Sequence, residues 1–208
     1  MTLPFSTHWA DKTPNYFVGK IWCSILKGLC DNKTQELRKK LYEQSYFTLS
    51  GKYIERTIKE HQNDFFGHFG IEIDYPTDLH PKLHTLREDK KDRWQAGKKI
   101  HPVIHNRTKN RFQFAPTMEC KGIQRVTIIN FFVAGYFKRE VYIDSKLFYI
   151  LYSQYPAKTF LKDVNEKMLQ FVKNDGFGDI DSFFKFFFPK GSEGTKELKL
   201  IHWTDLTY

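Results

Sequence analysis

The chain has 208 residues, 40% of them hydrophobic and 17% aromatic, with 20 Phe, 11 Tyr and a formal net charge of +9. That composition excludes a disordered chain, and no apolar run reaches the roughly 20 residues a membrane-spanning helix needs. Three cysteines, Cys23, Cys30 and Cys120, lack any paired CxxC spacing, which argues against a disulfide framework or zinc site and for reduced thiols in a cytoplasmic setting.

In chain order, the opening Met1-Thr-Leu-Pro-Phe-Ser lacks the basic and apolar regions of a secretion signal. Residues 14–27 space Tyr16, Phe17, Val18, Ile21, Trp22, Ile25 and Leu26 at helical intervals, with Pro14 in a first-turn position. A second, more polar helix is expected over 33–46, a further one over 52–62, and an aromatic, glycine-rich loop over 65–70. Lys99–His105, Glu119–Asn130 and Glu140–Phe148 are rich in Val and Ile and read as strands. Asn106–Arg111 forms a turn-rich tip after the first of these, and Asp144-Ser145 suits a hairpin turn. A helix is expected at about 158–173, ended by Gly176 or Gly178 in a left-handed cap. Asp179 then opens a short helix over Ser182–Phe188, Pro189 stops it, and Leu198–Trp203 reads as a last strand.

Charge is distributed unevenly along these elements. Residues 82–125 carry twelve Lys or Arg against four acids, whereas residues 1–81 balance and residues 126–208 carry a single excess positive charge. A concentrated excess of this kind suits a polyanion, nucleic acid above all; a plain solvated face is the other reading of the same residues. Along the strand, Lys99, His101, Val103 and His105 share one face, and Arg107, Lys109 and Arg111 extend it at the tip. Phe112 and Phe114 are either stacking surfaces or core. His101 and His105 lie about 13 Å apart on an extended strand, too far to hold one ion, so no metal or other cofactor is expected. Glu88–Asp92 reads as an ordinary solvated charge run, and His202-Trp203-Thr204-Asp205, though chemically suggestive, reads as a terminal strand with a packed Trp.

Lys82-Leu-His-Thr85-Leu-Arg87, then Arg93-Trp94 with Gly97 three residues on, then Lys98-Lys-Ile-His101, resembles the opening of an ASCH domain, a branch of the PUA-like superfamily. Asn174-Asp-Gly-Phe177 with its short helix, and the closing Leu200-Ile-His-Trp203, look like the end of the same domain. Phe5-Ser-Thr7 and the helix over 14–27 look like its beginning. The resemblance implies an α+β fold: a small PUA-like β-barrel with flanking helices, one domain over 1–208, with residues 28–80 as an insertion after the first helix. It also implies a cleft for RNA or modified nucleosides. In the small amidohydrolases of that family, which deacylate N4-acylated cytidines, Thr85 would be the nucleophile, Lys82 its base and Asp175 the partner carboxylate. Asp175 is one methylene shorter than the Glu those enzymes carry.

Three functions follow as expectations. The first is a binder of nucleic acid, RNA or single strands, using Lys82, Arg87, Arg93, Lys99, His101, Arg107, Lys109 and Arg111. The second is an enzyme of the same fold that hydrolyses an acyl group from a modified nucleoside or cleaves RNA, through Lys82, Thr85 and Asp175. The third is a protein-interaction module that uses an aromatic patch at 65–69. None of the three calls for a membrane.

Overall fold

The computed structural model describes residues 1–31, 63, 67, 79–133, 136–152 and 160–208. In chain order the regular elements are β1 (Thr2–Pro4), α1 (Phe17–Asp31), β2 (His84–Arg87), β3 (Lys99–Ile104), β4 (Phe112–Gln113), β5 (Met118–Glu119), β6 (Gly122–Val133), β7 (Tyr136–Ile143), β8 (Lys146–Tyr152), α2 (Phe160–Asn174), α3 (Ile180–Phe187) and β9 (Gly194–His202). The fold is α+β. The helices expected over 33–46 and 52–62, the loop over 65–70 apart from residue 67, and the body of the 28–80 insertion lie outside the described residues. Among the described residues no helix is long and apolar enough to cross a membrane.

Two compact units divide the chain, one of residues 1–82 and 100–118, the other of residues 83–99 and 119–208. In the first, β1 runs parallel to β3, pairing Leu3 with Pro102, and β4 and β5 pair with β3 as well. Leu3, Phe5, Val18, Ile21, Trp22, Val103, Ile104 and Phe114 are buried and form its core. Asn15 caps α1 by accepting from the Phe17 amide at 3.0 Å. On the same helix the Trp22 indole donates to the Phe114 carbonyl at 2.9 Å.

The second unit is an antiparallel sheet in the order β2-β9-β6-β7-β8. Alternation sets one face: His84 pairs with His202, Leu86 and Gln124 with Leu200, Val126 with Leu198 and Ile143, and Ile128 with Val141, and all of these are buried. Met168, Phe171 and Val172 of α2 and Phe183 and Phe184 of α3 complete the apolar interior. Neither sheet's pairing returns to its first strand, so the described strands do not close into the expected barrel. The reason is one of partnership. Strand composition marks β3 correctly, but it cannot say that β3 pairs with the chain's first residues.

Local chemistry fixes the joints. Gly176, at φ +93°, ends α2 in a left-handed cap: the Phe177 amide reaches the Val172 carbonyl at 2.9 Å and the Gly176 amide the Lys173 carbonyl at 2.8 Å. Asp179 caps α3 through the Ser182 amide at 2.7 Å. Asp144 and Ser145 both have positive φ, 48° and 67°, the signature of the tight turn that suits a twisted hairpin. Asp144 is tied down by the Arg125 amide and the Gln124 side chain, each at 2.9 Å, whereas Ser145 is exposed. Ser145→Gly is therefore expected to stabilise the second unit by about 0.5–1 kcal/mol, read as a raised urea midpoint. A lowered midpoint would contradict this account of the turn.

Candidate functional site

The basic tip joins β3 to β4 in the first unit. Its backbone closes on itself: the Thr108 hydroxyl donates to the His105 carbonyl at 2.8 Å and the Arg111 amide to the Thr108 carbonyl at 3.2 Å. Positive φ at His105 (50°) and Arg107 (66°) turns the chain tightly. Because backbone and a small hydroxyl hold the loop, the side chains of Arg107, Lys109 and Arg111 are left exposed. Buried Val103 and Ile104 anchor its base. From residue 93 to residue 118 the chain has six Lys or Arg and not one Asp or Glu. Among the described residues Arg107, Lys109 and Arg111 form no ion pair.

Two further expected contacts belong to β3. Lys99 is exposed, and His101 is half-buried with its Nδ1 3.2 Å from the Thr117 hydroxyl. Phe112 is half-buried, while Phe114 is core, packed edge-on to Phe5 at 5.7 Å. Lys82 differs from all of these. It is 1% exposed, its ammonium sits 4.8 Å from the centre of the Phe17 ring, and its amide donates to the Lys20 carbonyl at 3.0 Å. Such a setting is what a desolvated base needs and what a surface phosphate contact lacks.

In the second unit Thr85 is buried on β2 opposite Ile201, and half-buried Arg87 lies opposite Lys199 on the same strand face. Burial lowers the Arg87 guanidinium from its ordinary value, with the charge of Asp175 acting against that. Arg93 is exposed, 3.7 Å from Asp89. The run Glu88–Asp92 is not simply solvated. The Asp89 side chain is fully buried, accepts from the Trp94 amide at 2.7 Å and lies 3.3 Å from the Lys199 ammonium, which also pairs with Asp92. Asp89 is a clamp for the Trp94 turn, and a charge run read from composition cannot reveal that.

Asp175, 2% exposed, places Oδ1 4.0 Å from His84 Nδ1. His84 belongs to a cluster that sequence reasoning missed. The Gln170 amide donates to Asn174 Oδ1 at 2.8 Å, which orients the Asn174 amide so that its nitrogen donates to the Tyr208 hydroxyl at 2.8 Å. The hydroxyl's own proton is then left for His84 Nε2, 2.8 Å away, which puts the imidazole proton on Nδ1, towards Asp175. Gln124 holds the Tyr208 backbone from both sides, accepting from its amide at 3.1 Å and donating to its carbonyl at 2.8 Å. Burial raises the Tyr208 phenol well above its ordinary value. Next to this network His202 is 1% exposed, and both of its ring nitrogens are buried without a hydrogen-bond partner. Burial pulls that imidazole down to about 4, with Asp144 acting the other way.

Among the described residues no three His, Cys, Asp or Glu side chains gather as a metal ion would require. The aromatic patch expected at 65–69 lies outside the described residues. No protein-family model, curated protein or solved structure matches the chain.

Proposed function

We propose that the chain is a nucleic-acid-binding protein of ASCH/PUA-like type that takes single strands, RNA above all, on the basic tip. The observation that carries this reading is the exposed, ion-pair-free set Arg107, Lys109 and Arg111 in a stretch without a single acid. Lysine and arginine that meet no internal partner release condensed counterions when they neutralise a phosphate backbone, and the tip that carries them is closed by its own hydrogen bonds. Photocrosslinking a labelled single strand and mapping the modified peptides tests the assignment. Crosslinks within residues 98–111 are expected, and crosslinks confined to other peptides would remove the tip from the binding surface.

A second reading is favoured by one observation, the burial of Lys82, Thr85 and Asp175 at 1%, 4% and 2% exposure. It is hydrolysis of an acyl group from an N4-acylated cytidine-type nucleoside, or cleavage of RNA. In the first case the Thr85 oxygen attacks the acyl carbon and Lys82 takes its proton. The C–N bond breaks, the freed amine is protonated by Lys82, and water releases the acyl group as a carboxylic acid. Incubation with N4-acetylcytidine should then release cytidine and acetate, with turnover abolished in Thr85→Ala and in Lys82→Ala. Turnover that survives both substitutions would rule this mechanism out.

A further inference from the structure

We propose that the first turn of α1 is a binding site for a phosphate dianion, free or as a terminal monoester. A helix start leaves amides that need acceptors. Asn15 supplies one acceptor, taking the Phe17 amide on Oδ1 at 3.0 Å. The next two amides, of Val18 and Gly19, meet no acceptor among the described residues, although both residues are buried. Asn15 adds a third idle donor: it is 1% exposed, and its Nδ2 is buried without a hydrogen-bond partner. Because Oδ1 on the same carbon is fixed to the Phe17 amide, Nδ2 lies at this turn. Tyr16, at φ +55°, precedes helical Phe17. A left-handed residue beside right-handed ones turns successive amides to one side, forming a concavity that holds anions. Buried donors without acceptors are costly, and an oxyanion at a helix start accepts from several at once.

Charge selects a dianion over a carboxylate. The ammonium groups of Lys82 and Lys20 lie 4.8 and 6.0 Å from the centre of the Phe17 ring, at the first residue of α1, and the helix dipole adds to them. Residues 12–30 contain no Asp or Glu. Burial holds the Lys20 ammonium below its ordinary value, and a neighbouring anion offsets that cost. Enclosure separates this turn from the basic tip. Asn15, Val18 and Lys82 are at most 3% exposed, whereas Arg107, Lys109 and Arg111 are open to solvent. A phosphodiester carries a substituent on each side and suits the open tip, while a free phosphate or monoester can turn its unsubstituted oxygens into the enclosed turn. The inference therefore rests on neither functional reading above.

Titrating the full chain with inorganic phosphate, methyl phosphate, dimethyl phosphate and acetate, followed by backbone amide chemical shifts, tests the proposal. Inorganic phosphate and methyl phosphate should move the Val18 and Gly19 amides saturably, and whichever binds more tightly names the source. Dimethyl phosphate and acetate should bind about tenfold more weakly or not at all. Asn15→Asp keeps a capping oxygen for the Phe17 amide but sets a carboxylate oxygen where the idle donor was. It should fold and weaken phosphate binding by about tenfold or more. No saturable shift at Val18 and Gly19, saturation only at Arg107–Arg111, or equal binding of dimethyl phosphate would overturn the proposal. So would an Asn15→Asp chain that binds phosphate as before. Where Asn15→Asp fails to fold, Lys20→Gln takes its place with the same expected loss, and unchanged binding overturns the proposal equally. The basic-tip reading fails separately, by single-strand binding that does not depend on Arg107, Lys109 and Arg111.

Discussion

Replacing Arg107, Lys109 and Arg111 together by alanine is expected to flatten the salt dependence of single-strand binding by two to three phosphate contacts, at about 0.7 of log–log slope per contact. Three contacts of that kind account for roughly a twentyfold change in affinity between about 50 and 200 mM salt. The variant should therefore lose most at low salt and differ less from the unsubstituted chain as salt rises. All three side chains are exposed, and the tip is closed by its backbone and Thr108, so the fold should hold to within about 0.5 kcal/mol. A changed slope with an unchanged unfolding midpoint separates lost contacts from lost structure. An unchanged slope would mean that the phosphates are met elsewhere on the chain.

Acid should act on the second unit through His202. Burial holds its imidazole at about 4, below the ordinary 6.5, so the folded chain keeps it neutral where an unfolded chain would take up a proton. Between pH 6.5 and 4 unfolding binds that proton, and stability falls as pH falls through this window. The loss is about 1.4 kcal/mol per unit, roughly 3 kcal/mol in all. Above pH 6.5 both states are neutral at this position and His202 adds no slope. Other groups titrate in the same range, so the test is a difference: urea unfolding of the unsubstituted chain and of His202→Leu at pH 7, 5.5 and 4.5. The unsubstituted chain should lose about 2.5 kcal/mol more than the variant across the series. Parallel profiles would show that His202 finds a partner for its proton.

Much of the local structure is legible in the sequence because it depends on near neighbours. Asp144-Ser145 turns a hairpin, Gly176 ends a helix, and Asp179 starts the next, each by chemistry confined to a few residues. β3 is legible as a strand but not as the partner of Thr2–Pro4, since nothing within Lys99–Ile104 encodes what lies beside it. The site divides in the same way. The Arg107–Arg111 tip stands out by charge alone and is exposed. The cluster around Tyr208 joins His84, Gln124, Asn174 and His202, residues as far as 124 positions apart, and no spacing rule reaches that far. His202-Trp203-Thr204-Asp205 is visible as a suggestive run, but that His202 is left unpaired emerges only when the strands are laid side by side. Asp89 makes the opposite point: it sits in an exposed-looking charge run, yet its carboxylate is the most enclosed part of that segment.

The claim that the chain binds single-stranded nucleic acid through its basic segment is tested most directly by fluorescence anisotropy of a labelled single-stranded RNA against the unsubstituted chain, across about 50–200 mM salt. The expected result is an affinity that falls along a straight log–log line, with a slope of several contacts at about 0.7 each. Binding that is insensitive to salt, or undetectable for every RNA and DNA strand tried, would contradict it.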